Sequence, residues 1–175
     1  MRIIRYQINK GTPTYGWMLD DKIGKIEGDV FGSYKRTEAQ TPLSDAKLLP
    51  PSQPTKIVCV GRNYRRHAEE LGNEVPEEPL IFLKPPSALR QPGEPIVLPP
   101  QSDNVHHEAE LAVVIGRRAS RTGRAEAGDY IAGYTCANDV TARDLQRADK
   151  TFTRGKGFEF SPRHGWRAGC YHRQP

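Results

Sequence analysis

The sequence predicts an α+β protein, mixed β with few short helices: a small N-terminal β-rich domain over residues 1–50, then a second β unit over 56–159. Three observations predict it. Apolar residues gather in runs of strand length, IVCV, LIFL, IVL, LAVVIG and DYIAGYTC, with polar residues between them. Gly, Pro, Asn and Asp punctuate those runs. The stretches of helical character, RNYRRHAEELG and TARDLQRAD, are short.

Taken in order, MRIIRYQ, TYGWML and KIGKIEG read as strands, separated by Asn-Lys-Gly and Asp-Asp turn signals. LLPPSQPTK (48–56) is proline-rich, which stiffens a chain into extended geometry, and marks the domain boundary. KIVCVG reads as a buried strand ending in glycine. RNYRRHAEELG is a polar helix with Gly72 as its C-terminal stop. PLIFLKPP is a strand halted by Pro85 and Pro86, PIVLPP a third, and HEAELAVVIG the longest. RTGRAEAGDY is a loop with a short helix, YIAGYTCANDV a strand, and TARDLQRAD a helix that the Thr141 hydroxyl can cap. No internal repeat or low-complexity segment interrupts this order.

The chain has 175 residues, 36% of them apolar, and a formal charge of +5. Mean hydropathy is −0.70 and the pI about 9.2. Much of the basic surplus lies in SPRHGWRAGCYHRQP, where Arg163, Arg167 and Arg173 have no acid beside them; residues 160–175 form a basic tail of atypical composition. Without that tail the chain is only mildly basic, so no nucleic-acid partner is expected. Cys59, Cys136 and Cys170 form no CxxC pair and no disulfide framework. The first two lie in strand-like apolar runs and read as buried free thiols, which fits a reducing compartment. No apolar run approaches the twenty or so residues of a membrane span, and the N-terminus carries no signal-like apolar region. A soluble cytoplasmic protein without a membrane partner is the expectation.

Within VHHEAELAVVIG two carboxylates, Glu108 and Glu110, stand at the mouth of an apolar run. Strand side chains alternate, so both point the same way, about 7 Å apart. Like charges beside a buried run need a base, water, or a shared cation. From the spacing alone a solvated strand end is the plainer reading. Asp139 shifts it: Asn138-Asp139 ends a strand just before a helix, where sites are commonly built. Three carboxylates suit a hard cation such as Mg²⁺, Mn²⁺ or Ca²⁺. His106 shares the glutamates' face and His107 does not, and no second histidine falls at zinc-ligand spacing.

His67 and Glu70 stand three apart on the first helix and share a face. A carboxylate so placed holds an imidazole in one tautomer and raises its basicity, although a surface pair is the plainer reading. Lys156, between glycines in RGKGF, reads as a loop lysine or as a charge that steadies an enolate. Lys84 ends a strand and Tyr64 follows one; both are candidates for holding a substrate carboxylate. Arg143 and Asp144 read as a structural pair fixing their helix.

In this order and spacing, VGRNYRRHAEEL, FLKPP, HHEAELAVVIG, GYTCANDVTARDLQ and TRGKGF resemble the fumarylacetoacetate hydrolase family, a short bacterial member with a small N-terminal β domain. The resemblance runs from residue 1 to about 159. It implies a partial fumarylacetoacetate-hydrolase-like β-roll, with Glu108, Glu110 and Asp139 as ligands of a divalent cation, usually Mg²⁺. It further implies a His67–Glu70 dyad over the substrate, a substrate-facing Lys156, and Gln146 as a substrate-binding residue. The implied substrate is a small 2-oxo or enol acid. The implied reaction is hydrolysis of an acylpyruvate-like C–C bond through an enolate, with 2-hydroxyhepta-2,4-diene-1,7-dioate isomerisation and β-keto acid decarboxylation as alternatives. A complete chain is expected to be a homodimer. Family members continue after K-G-F-D with further strands, whereas here GFEFSPRHGWRAGCYHRQP follows, so the chain reads as truncated at its C-terminus. The expected consequence is an uncovered apolar face on LAVVIG and YIAGYTC, and an inactive fragment is the alternative of another class.

Overall fold

The computed structural model of the chain describes residues 1–70, 72–149, 151–158 and 170–171. The tail reading therefore lies, apart from Cys170 and Tyr171, outside the described residues.

The N-terminal region is built outward from strand β1 (Arg2–Ile8). Adjacent side chains of a strand face opposite ways, and β1 is apolar on both faces. Ile3 packs with Ile26 and Val30 on one side, while Ile4 and Tyr6 pack with Ile23 on the other. β2 (Thr14–Leu19) and β3 (Lys22–Gly28) form a hairpin closed by Asp20-Asp21, with Leu19 opposite Lys22 and Asp20 at φ 51°. A two-residue loop needs such a left-handed residue, and Asp accepts it better than most. β4 (Tyr34–Arg36) and β5 (Thr41–Pro42) extend β3, and β6 (Ala46–Leu49) returns to pair with β1. Gly24 is a necessity of packing: a Cβ there would stand 2.2 Å from the Trp17 indole, which donates to the Thr37 carbonyl.

Next come β7 (Ile57–Gly61), α1 (Arg65–Glu70), β8 (Leu80–Lys84), β9 (Val105–His106), β10 (Ala109–Ile115) and β11 (Ile131–Asn138). β12 (Thr141–Ala142), α2 (Arg143–Ala148), α3 (Thr153–Lys156) and β13 (Cys170–Tyr171) follow. β7 and β8 make a separate antiparallel pair, as do β9 and β12. β10 pairs with β11, and β13 lies between β11 and β1, so that among the described residues the strands run β10-β11-β13-β1-β2-β3-β4. α1 ends as its glycine requires: Gly72 has φ +66°, its N–H bonds the Glu69 carbonyl and the Asn73 N–H bonds that of Ala68.

Several expectations are corrected. PIVLPP forms no strand, and Val97 and Leu98 are exposed; Pro95, Pro99 and Pro100 offer no N–H to a ladder. β11, eight residues, is longer than the seven of β10. KIVCVG is half-exposed, because β7 and β8 are covered on one face only: Val58 and Val60 point outward, Cys59 inward. Cys59 is half-buried and Cys136 exposed; both are free thiols. Thr141 does not cap α2, whose N-cap position is Ala142 without a side-chain bond. Its hydroxyl, fully buried, donates instead to the Asp139 carbonyl. Lys156 is the last residue of a short helix, not a loop residue. At the start of LLPPSQPTK, Leu49 belongs to β6, and Leu49, Pro50 and Pro51 are buried.

Candidate functional site

Two strand ends meet at the site. Ala109 is paired with Asn138, so Glu108 and Asp139 adjoin just outside β10 and β11. The Asp139 N–H donates to the Glu108 carbonyl at 2.9 Å, and the Glu108 N–H to the Asn138 side chain at 3.0 Å. Backbone bonds of this kind hold the carboxylates on the ladder's own frame.

Bases from three other elements converge on them. Lys156 Nζ, at the end of α3, lies 2.6 Å from Glu108 Oε2, 2.7 Å from Asp139 Oδ2 and 2.8 Å from Thr141 Oγ1. Lys84 Nζ, at the end of β8, is 2.5 Å from Asp139 Oδ1. Arg143, the first residue of α2, pairs with Glu108 Oε1 and donates to Gln146 Oε1 at 2.9 Å. Its Nε also donates to His106 Nδ1 at 3.4 Å. Two carboxylates thus meet three bases in a site where Lys156 is only 4% exposed.

Glu110 is placed differently. Burial pushes its carboxyl above the usual range; a hydrogen bond from Tyr64 opposes that shift, and the charges of Glu108 and Asp139 add to it. Among the described residues no base forms an ion pair with it. Tyr64 Oη also accepts the Leu111 N–H at 3.0 Å, tying the approach to α1 onto β10. Cys59 lies in the same field: burial first, then the Asp139 charge, pushes its thiol up to about 11, so it is protonated at neutral pH.

The sequence-predicted residues divide into two groups. Glu108, Glu110, Asp139, Lys84, Lys156, Tyr64 and Gln146 are linked through the contacts above. His67 and Glu70 stand apart: their side chains are 3.7 Å from one another and both are exposed. Neither shares a hydrogen bond or ion pair with the carboxylates among the described residues. Arg143 is the member the sequence reading missed. It is not paired with Asp144, which accepts from Ser102 Oγ at 2.5 Å and from the Asp103 and Leu145 N–H groups. No local signal marked Arg143: the pairing of β9 with β12 is what brings His106, to which it donates, alongside it.

The donor set fits a hard divalent cation. Every candidate ligand atom is a carboxylate oxygen, and oxygens of Glu108 and Asp139 already touch one common ammonium. Glu110, whose carboxyl is raised first by burial and then by the charges of those two carboxylates, is a third oxygen donor within their field. Among the described residues no three His, Cys, Asp or Glu side chains stand in a ready-made ligand cage; Lys84, Lys156 and Arg143 hold the oxygens.

Comparison with known proteins places this arrangement in context. Residues 56–166 match the family described as "Fumarylacetoacetate (FAA) hydrolase C-terminal", and residues 1–51 match "Rv2993c-like, N-terminal". Protein Rv2993c of Mycobacterium tuberculosis is 47% identical over 143 residues, 81% of this chain and 54% of the relative. A mitochondrial oxaloacetate tautomerase of Caenorhabditis elegans is 56% identical over 92 residues, 53% of this chain and 43% of the relative. The solved structure of 5-carboxymethyl-2-hydroxymuconate delta-isomerase from Mycobacterium smegmatis superposes with a TM-score of 0.84 at 36% identity, covering 100% of this chain and 68% of that one. The chain spans about half the length of the curated relatives it matches.

Proposed function

The chain belongs to the fumarylacetoacetate hydrolase family, and from that premise we propose that it generates enolates from small 2-oxo acids at a site holding Mg²⁺. Glu108, Glu110 and Asp139 would hold the cation. When bound, it would act as a Lewis acid on the adjacent oxygens of a 2-oxo acid and lower the cost of the enolate. Carrying the reading is the convergence of Glu108 and Asp139 on one buried lysine, Lys156. An enolate oxygen gains charge as the α-proton leaves, and an ammonium already desolvated beside it stabilises that charge without reorganising. Lys84, paired with Asp139, and Gln146, which accepts from Arg143, would orient a substrate carboxylate. The tautomerase and isomerase relatives support proton transfer as the reaction class.

Hydrolysis of an acylpyruvate-like C–C bond is the second reading, favoured by the His67–Glu70 pair at 3.7 Å. There the imidazole would take a proton from water, and its exposure means that α1 has to close over the substrate first.

Oxaloacetate, with and without Mg²⁺, separates the readings. The 175-residue chain is expected to accelerate its keto–enol interconversion, followed by the enol's ultraviolet absorbance. Glu110→Gln is expected to abolish Mg²⁺ binding by calorimetry and lower the rate at least about a hundredfold. His67→Ala is expected to leave this reaction intact while eliminating acylpyruvate cleavage. Undiminished Mg²⁺ affinity in Glu110→Gln defeats the ligand assignment.

A further inference from the structure

Glu108 and Asp139 divide their oxygens in the same way. Each gives one oxygen to a flanking base: Oε1 of Glu108 to Arg143 and Oδ1 of Asp139 to Lys84. Each gives the other to Lys156, whose Nζ lies 2.6 Å from Oε2 and 2.7 Å from Oδ2. The third Nζ–H reaches Thr141 Oγ1 at 2.8 Å, so every proton of the ammonium has an acceptor. The Phe82 ring lies 5.3 Å from the same nitrogen, and Phe82 stacks edge-on against Phe152 at 5.5 Å. Phe152 in turn holds α3 through its carbonyl, which accepts the Lys156 N–H at 3.0 Å.

We propose that Lys156 is a tethered counter-ion at this site, and that a divalent cation and the Lys156 ammonium compete for the same inner oxygens of Glu108 and Asp139. This rests on the metal reading above and goes beyond it. A Mg²⁺ ion sits about 2.1 Å from carboxylate oxygen. It cannot share Oε2 and Oδ2 with an ammonium at hydrogen-bond distance, because like charges a few ångströms apart in a half-buried site repel strongly. Lys84 and Arg143 need not move, since they hold the outer oxygens. Lysine is suited to the exchange: its point charge rides on a flexible four-carbon stem. Once displaced, the ammonium is free to meet the charge that develops on a bound enolate. The lysine thus keeps the carboxylates together when no metal is bound and becomes available when one is.

Two measurements test this on the 175-residue chain stripped of metal by chelation. In the first, Mg²⁺ is titrated calorimetrically into the parent, Lys156→Met and Lys84→Met. Lys156→Met is expected to bind at least about tenfold more tightly than the parent, and Lys84→Met to stay within about threefold. Equal tightening in both would reduce the effect to general charge removal and overturn the exchange; unchanged or weaker binding in Lys156→Met does the same. The second needs no substitution and so is indifferent to the variants' folding. The Lys156 ammonium resonance in ¹⁵N-lysine-labelled parent is expected to shift or broaden away in step with Mg²⁺ saturation. A resonance unmoved at saturating, calorimetrically bound Mg²⁺ refutes the competition while leaving metal binding standing. Absence of Mg²⁺ binding in all three proteins refutes the metal reading, and the exchange falls with it.

Discussion

Glu110 carries the charge that the site leaves least compensated. Its carboxyl is raised above the usual range by burial first and then by Glu108 and Asp139. The folded chain therefore holds this proton more tightly than the unfolded chain does. Between the ordinary carboxyl pKa and the raised one the native state binds more protons, so stability is lost as pH rises through that window. Glu110→Gln removes the cost. Without metal it is expected to be more stable than the parent above the window and no more stable below it; urea unfolding across a pH series checks this, and an advantage that persists at acid pH counts against the assignment. The carboxylates themselves were legible in the sequence, because strand alternation puts Glu108 and Glu110 on one face and Asp139 follows a strand end. Their partners were not. Lys84 and Arg143 reach the cluster from β8 and α2, and nothing local in FLKPP or TARDLQ encodes that meeting. Asp144, adjacent to Arg143, offered a false partner; it instead anchors the loop at Ser102.

Strand β1 is the centre of the N-terminal core. It pairs with β2, β6 and β13, and Ile4 on it is 0% exposed. Ile4→Ala removes buried methyl and methylene groups between Tyr6 and Ile23, and is expected to cost about 2–5 kcal/mol. Leu19→Ala, at an exposed strand end, is expected to stay within about 0.5 kcal/mol. Urea midpoints distinguish the two, and equal losses would mean that β1 is not the core strand. Elements with a strong local signature were legible: the β2–β3 hairpin from Asp20-Asp21, the end of α1 from Gly72, and β10 and β11 from their apolar runs. Pairing decided the rest. PIVLPP has strand-like side chains but prolines where donors are needed. Thr141 has a capping side chain but is paired backbone to backbone with His106, which leaves its hydroxyl for Asp139 and Lys156.

At the scale of the whole molecule the apolar rows turned away from the site govern behaviour in solution. On the β7–β8 pair Val58 faces Leu83 and Val60 faces Ile81, and all four are exposed. On β10 Leu111, at 62% exposure, continues through Val113 and Ile115, with Cys136 opposite Leu111. Contiguous apolar strand faces of this kind drive association. The opposite faces of the same strands carry Cys59, Phe82 and Lys84 toward the carboxylates, so the outward row can be changed without touching the site. Sedimentation velocity is expected to show the chain associating reversibly as its concentration rises through the micromolar range, with an apolar dye fluorescing on the associated surface. Val60→Lys with Ile81→Glu replaces one outward cross-strand pair by an ion pair in the same register. The double variant is expected to shift association to at least about tenfold higher concentration and to lower dye fluorescence, with Mg²⁺ affinity within about twofold of the parent. Unchanged association would move the adhesive surface to the β10 row, where Leu111→Lys is the corresponding substitution; unchanged association in both variants would show that neither row is the contact.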